Sequence, residues 1–230
     1  MTKILKYWEV EDLNITVDDV LRGQGADPEI IRSRSPHLVD NARQALSDSL
    51  ARLKPTALIN DFQVQSLQHN CLQLKGDKQI SGSLVSSHLT GAKEVKAVIC
   101  TVGFKIDQYA SKVMEDDIVR GLAIEGVGSA AIEALAKLIC SDVESEAEKR
   151  GFQSTIALSP GMNGWGVEEG QPTLFDLLDP SQVGIELTPS NLMVPRKSLS
   201  MIIGIGPGLH SDQRLCDFCA MGETCRYQDY

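Results

Sequence analysis

An apolar stripe at helical spacing runs through residues 117–150 and sets the frame for the rest of the chain. Ile118, Leu122, Ala131, Leu135, Leu138, Ile139 and Val143 trace one face, and Gly151 stands where a helix can close in a left-handed cap. Gly121, Gly126 and Gly128 interrupt the first half, each costing a helix about 1 kcal/mol relative to alanine. A glycine is tolerated there when another element must come close, so the pattern predicts two helices or one helix with a closely packed neighbour.

The segments on either side follow different periods. The first sixty residues read as helical, with Thr16-Val17-Asp18-Asp19 as a capped start and Asp27-Pro28 as a cap followed by proline at the first helical position. Leu38, Ala42, Ala45, Leu46, Leu50 and Leu53 keep helical spacing until Pro55. A two-residue period then appears at Phe62, Val64 and Ser66 and again at Leu72 and Leu74, which predicts antiparallel strands. Ala97-Val98-Ile99-Cys100-Thr101-Val102-Gly103 reads as a strand buried on both faces. A short helix is expected over residues 173–178, and extended segments over 185–188 and 198–205. Helices combined with hairpin-like strands favour an α+β fold, an antiparallel or mixed twisted sheet with flanking helices, over a doubly wound one. The expected division is a helical segment of the same domain at 1–60, an α+β core at 61–209 and a cysteine-rich tail at 210–230.

Composition excludes several function classes. A net charge of −9 over 230 residues leaves no basic footprint for nucleic acid or an anionic membrane surface. No run approaches the roughly 18 apolar residues of a membrane span, and acidic residues follow the start too soon for a signal-peptide core. The expected location is cytoplasmic, where clustered cysteines more often bind metal than form disulfides. Gly204-Ile205-Gly206-Pro207-Gly208 opens no helix and is read as a strand-end turn; no Walker sequence is present.

Three places could carry chemistry. Ser159-Pro160-Gly161-Met162-Asn163-Gly164-Trp165-Gly166 packs three glycines and an indole into eight positions, which lets a backbone approach a flat or cationic ligand that the ring could stack on. The same composition also describes a turn with an aromatic anchor. Glu133 stands among small neighbours, Ser129 and Ala130, that leave room for a ligand ammonium; the plainer reading is a surface pair with Lys137 one turn on. Cys216, Cys219 and Cys225 form a C-x2-C-x5-C array suited to zinc or an iron–sulfur cluster, with His210 as a fourth zinc ligand, or they are three free thiols. Cys71, Cys100 and Cys140 are read as packing residues.

The run from Ser159 to Ile205 resembles the activation domain of cobalamin-dependent methionine synthase and its stand-alone relatives in corrinoid methyltransferase systems. The resemblance rests on Ser159-Pro160-Gly161 with Trp165, Leu174-Phe175-Asp176-Leu177-Leu178, Gly184-Ile185-Glu186-Leu187-Thr188 and Leu192-Met193-Val194-Pro195-Arg196-Lys197-Ser198-Leu199-Ser200. A weaker likeness extends back through Cys100-Thr101-Val102-Gly103 and residues 128–135. It implies the activation-domain fold and an accessory role in reductive activation of a corrinoid-dependent methyltransferase. It also implies S-adenosylmethionine bound at Ser159, Pro160, Gly161, Met162, Gly164, Trp165 and Glu133, with cobalamin supplied only by a partner protein. In the family an arginine precedes the Pro-Gly turn and a tyrosine follows it; those positions fall on Ala157 and Met162. The alternative is a non-catalytic module that docks a corrinoid protein, carries a structural metal tail and has lost the methyl donor.

Overall fold

A computed structural model describes residues 3–209. Its centre is a seven-stranded sheet in which every pairing is antiparallel. The strands are β1 (Lys3–Tyr7), β2 (Thr56–Gln68), β3 (Cys71–Leu74), β4 (Lys78–Ser81), β5 (Glu94–Thr101), β6 (Gln153–Ser154) and, after a separate two-stranded pair β7 (Glu186–Leu187) and β8 (Met193–Val194), β9 (Ser198–Gly206). The sheet order is β4-β3-β2-β5-β9-β6. Both β1 and β3 share one edge of β2: β1 pairs with residues 56–60, and β3 pairs beyond a register shift between Val64 and Ser66. That irregularity bends the long strand so that one edge serves two partners.

The seven helices are α1 (Val17–Gly23), α2 (Pro28–Arg34), α3 (Pro36–Ser49), α4 (Ser83–His88), α5 (Lys105–Met114), α6 (Ile118–Lys149) and α7 (Val167–Leu177). Alternation along β5 divides the core. Val98 and Cys100 join α1, α3, α5 and α6 on one face, whereas Val95, Ala97 and Ile99 join α4, α7 and Trp165 on the other. The strand expected to be buried on both faces is so buried, and the α+β architecture is the one expected.

Local signals explain most boundaries. The Thr16 hydroxyl accepts from the Asp19 amide at 3.2 Å while the Asp19 carboxylate accepts from the Thr16 amide at 2.9 Å, a reciprocal cap. Thr16→Ala is expected to cost about 1 kcal/mol in chemical denaturation, with an unchanged denaturant slope. Asp27 caps α2 through the amides of Glu29 and Ile30. Residues 118–149 form one helix, with Gly151 at φ +73° just beyond its end. Two expectations need correcting. Residues 3–7 are a strand rather than helical, because the first half of β2 offers an edge that only an extended segment can fill. The helix expected at 173–178 starts at Val167 and runs through Pro172, because Gly170 in its first half packs closely on Pro160 and the Trp165 ring.

Candidate functional site

The 159–165 loop leaves an edge segment of the sheet. Thr155 and Leu158 bond along β9, with Leu158 and Ile202 exchanging both backbone hydrogen bonds at 2.9 Å. The chain then turns through Gly161 at φ +100° and Gly164 at φ +91°, conformations that a side chain would strain. The turn is internally satisfied: Gly161 N donates to Trp165 O at 2.8 Å, and Trp165 N to Met162 O at 3.0 Å. The Gly164 carbonyl accepts from Leu84 N and from the Ser83 hydroxyl, both at 3.2 Å, which fastens the loop to the start of α4.

Trp165 lies beneath this loop. It is 1% exposed, and a β-carbon added at Gly82 or at Gly170 would stand 3.0 Å from its ring. The indole is thus held between two glycines as an anchor, and its surface is not offered to solvent. Ser159, Pro160 and Met162 are half-buried, with the Met162 sulfur accepting from the Ser159 amide at 3.2 Å; Gly161, Asn163 and Gly164 are exposed. Ala157 turns its methyl into the helix-side core.

Glu133 belongs to the other face. It lies on α6 at a cleft of about 360 Å³ between that helix, α1 and the 3-10 turn Val10–Leu13. Leu13, Ala130, Ala134 and Leu138 supply apolar lining. Asp12, Asn14, Asp19, Glu133, Lys137 and Ser141 supply the polar groups, and no residue of the 159–165 loop takes part. The structure therefore brings Glu133 together with N-terminal residues and does not bring it into one cavity with the loop.

The three cleft carboxylates are held differently. Burial pushes Asp19 upward, but hydrogen bonds from Thr16 and the charges of Arg22 and Lys137 outweigh it, so its carboxyl lies below the usual range. Asp12 accepts from the Glu9 amide at 3.2 Å. No hydrogen bond or ion pair within 4 Å ties the Glu133 carboxylate to another described residue, Lys137 included. Burial, aided by the charge of Asp19, pushes Glu133 above its ordinary value of 4.5, with Lys137 opposing.

A second charged group fixes the conserved-looking turn of the resemblance to α6. Glu125 receives Arg196 at 2.5 Å and Lys197 at 2.7 Å, and Lys197 also donates to the Ser129 hydroxyl at 3.0 Å. Burial raises Glu125, yet Lys197 and Arg196 more than offset it, and the net shift is downward. This cluster is closed on itself and acts as a clamp between α6 and β9.

The other sequence candidates fall out of the site. Cys100 is buried and its thiol is pushed up to about 12 by burial; Cys140 is likewise pushed up to about 11, so neither is an ionised nucleophile near neutral pH. Among the described residues no group of three or more His, Cys, Asp or Glu is placed to hold a metal ion, and no helix is long and apolar enough to cross a membrane. Cys216, Cys219, Cys225 and His210 lie outside the described residues. Sequence reasoning missed Asp12, Asp19 and Lys137 as neighbours of Glu133. The Thr16–Asp19 cap was visible in the sequence, but nothing local says which distant helix it faces.

No family model and no curated protein matches the chain. A solved structure does: the crystal structure of the MetH reactivation domain bound to AdoHcy, with a TM-score of 0.70 at 16% sequence identity, over 93% of this chain and 80% of that one. At that identity the likeness speaks for architecture, and the chain shares the fold of the MetH reactivation domain.

Proposed function

We propose that this chain binds an S-adenosyl ligand in the cleft beside Glu133 and presents it to a corrinoid-carrying partner, as an accessory in reductive activation of a corrinoid-dependent methyltransferase. The observation that carries the reading is an open cleft with an unpaired carboxylate, in a fold shared with a domain solved bound to AdoHcy. The lining fits the group. S-adenosylmethionine has an ammonium and a sulfonium, which suit the carboxylates of Glu133, Asp12 and Asp19, and a carboxylate, which suits Lys137. Lys137 would then supply the cation that Ala157 cannot. Leu13, Ala130, Ala134 and Leu138 give apolar surface for the remainder.

When bound, the ligand supplies an electrophilic methyl group. The chain's own residues bind its charged groups, orient it and keep its mouth-facing side open to a docked partner. In this reading the 159–165 loop and Trp165 hold the sheet edge in shape, with Ser159, Pro160, Gly161, Met162 and Gly164 contributing backbone rather than a stacking ring. Cys216, Cys219 and Cys225 enter by their spacing alone; iron, zinc and sulfide analysis of anaerobically purified protein checks that part.

Calorimetric titration with S-adenosylmethionine tests the reading. The wild type should bind saturably, and Glu133→Gln should weaken binding roughly 10–100-fold, the effect of losing a hydrogen bond to a charged group worth about 1.5–3 kcal/mol. The same variant should unfold at an equal or higher temperature at pH 7. A carboxyl whose folded value is raised favours the fold while protonated, below 4.5, and that advantage is gone once pH passes the folded value. Absence of wild-type binding would overturn the reading. It would favour the non-catalytic docking module, to which the buried Ala157 methyl and the covered Trp165 ring already point.

A further inference from the structure

We infer that the cleft reads the charge of its ligand, retaining the sulfonium form and releasing the thioether, with Glu133 as the specificity-determining residue. This rests on the reading that the ligand is S-adenosyl in type. Three carboxylates, Asp12, Asp19 and Glu133, face a single ammonium, Lys137, around one cavity. Two of the three are already answered locally. Asp19 takes hydrogen bonds from the Thr16 amide, the Thr16 hydroxyl and Arg22, at 2.9, 2.5 and 3.1 Å, and Asp12 takes one from the Glu9 amide at 3.2 Å. Only Glu133 brings a carboxylate with no hydrogen bond among the described residues.

The uncompensated negative charge is therefore concentrated at one place on the wall. Burial and the neighbouring Asp19 already disfavour it, so a cation placed there relieves a cost that the empty cleft carries. A neutral ligand of the same shape does not. Methyl transfer changes the ligand in that respect. The S–CH3 bond breaks with its electron pair left on sulfur, the methyl passes to the low-valent corrinoid nucleophile of the partner, and the ligand falls by one positive charge. Contacts to the amino-acid and nucleoside parts are the same before and after. The cleft thus holds the donor more tightly than the spent ligand by an electrostatic margin, which favours exchange after each transfer.

The test compares dissociation constants of S-adenosylmethionine, S-adenosylhomocysteine and sinefungin, an analogue with an ammonium near the sulfonium position. Calorimetry on the full chain at low ionic strength should give roughly tenfold tighter binding of both cationic ligands than of the thioether, shrinking as salt is raised. Glu133→Gln should bring the three constants close together. Glu168→Gln removes a carboxylate from the exposed first turn of α7, outside the cleft, and should leave the ratio at the wild-type value, which separates the local effect from the net charge of −9. Binding of all three ligands with equal constants in the wild type, or a ratio unchanged in Glu133→Gln, overturns charge selection while leaving the site standing. Failure of the wild type to bind any of the three overturns the site and the inference together.

Discussion

Trp165→Ala should lower the free energy of unfolding by about 3–5 kcal/mol, the range for truncating a large buried aromatic. The indole is among the largest fully buried side chains, and it is held between Gly82 and Gly170 with Leu84, Leu174 and Leu158 in the same core. At roughly 2–4 °C per kcal/mol for a chain of this size, the melting temperature should fall by about 10 °C or more. Trp165→Phe should cost less, since its Nε1 has no partner among the described residues and the smaller ring forfeits packing but no hydrogen bond. Thermal unfolding followed by circular dichroism checks both. The same pair of variants separates two roles for the residue. An anchor loses stability when truncated; a ligand platform would lose affinity at unchanged melting temperature.

Gly126→Val is expected to strike fold and site together. A β-carbon at Gly126 would stand 2.6 Å from the Val20 carbonyl oxygen, and one at Gly23 would stand 2.4 Å from the Gly126 carbonyl oxygen. At this crossing α1 and α6 meet backbone to backbone, with no flexible side chain to give way. Helix propensity favours the substitution by less than 1 kcal/mol. Forcing the helices apart costs about 1–3 kcal/mol or more, so destabilisation wins. Because α1 carries Asp19 to the cleft, affinity for S-adenosylmethionine should fall in the same variant. Gly166→Ala is the control: nothing lies within 4 Å of its added carbon, and its φ of −63° suits any residue.

Much of the architecture was legible because it is written in short-range patterns. The Thr16–Asp19 cap, the Asp27-Pro28 start, the two-residue period through Phe62 and Leu72 and the continuous apolar run at residues 97–102 each report a local choice, and the structure follows them. The glycines of α6 gave a sharper message, close approach by a neighbour, although not which neighbour. Lys3–Tyr7 was not legible, since Lys-Ile-Leu-Lys-Tyr has no clean period and its state is decided by the free edge of β2.

The site divides in the same way. Glu133 was visible as a carboxylate among small residues, but its cleft is made with Asp12 and Asp19, more than a hundred positions earlier in the chain. Trp165 drew notice as an aromatic among glycines. The structure gives those glycines another purpose: Gly164 supplies the φ the turn needs, and Gly170 makes room for the ring. Composition alone does not distinguish a ring that receives a ligand from one that receives its own backbone.

The claim at the centre of this account is the location of the ligand, and hydrogen exchange read by mass spectrometry with and without S-adenosylmethionine addresses it most directly. The account predicts added protection in the peptides spanning residues 10–24 and 129–141, the two walls of the Glu133 cleft, with little change at 159–166. Protection confined to residues 159–166, with the cleft walls unchanged, would contradict it and return the ligand to the glycine-rich loop.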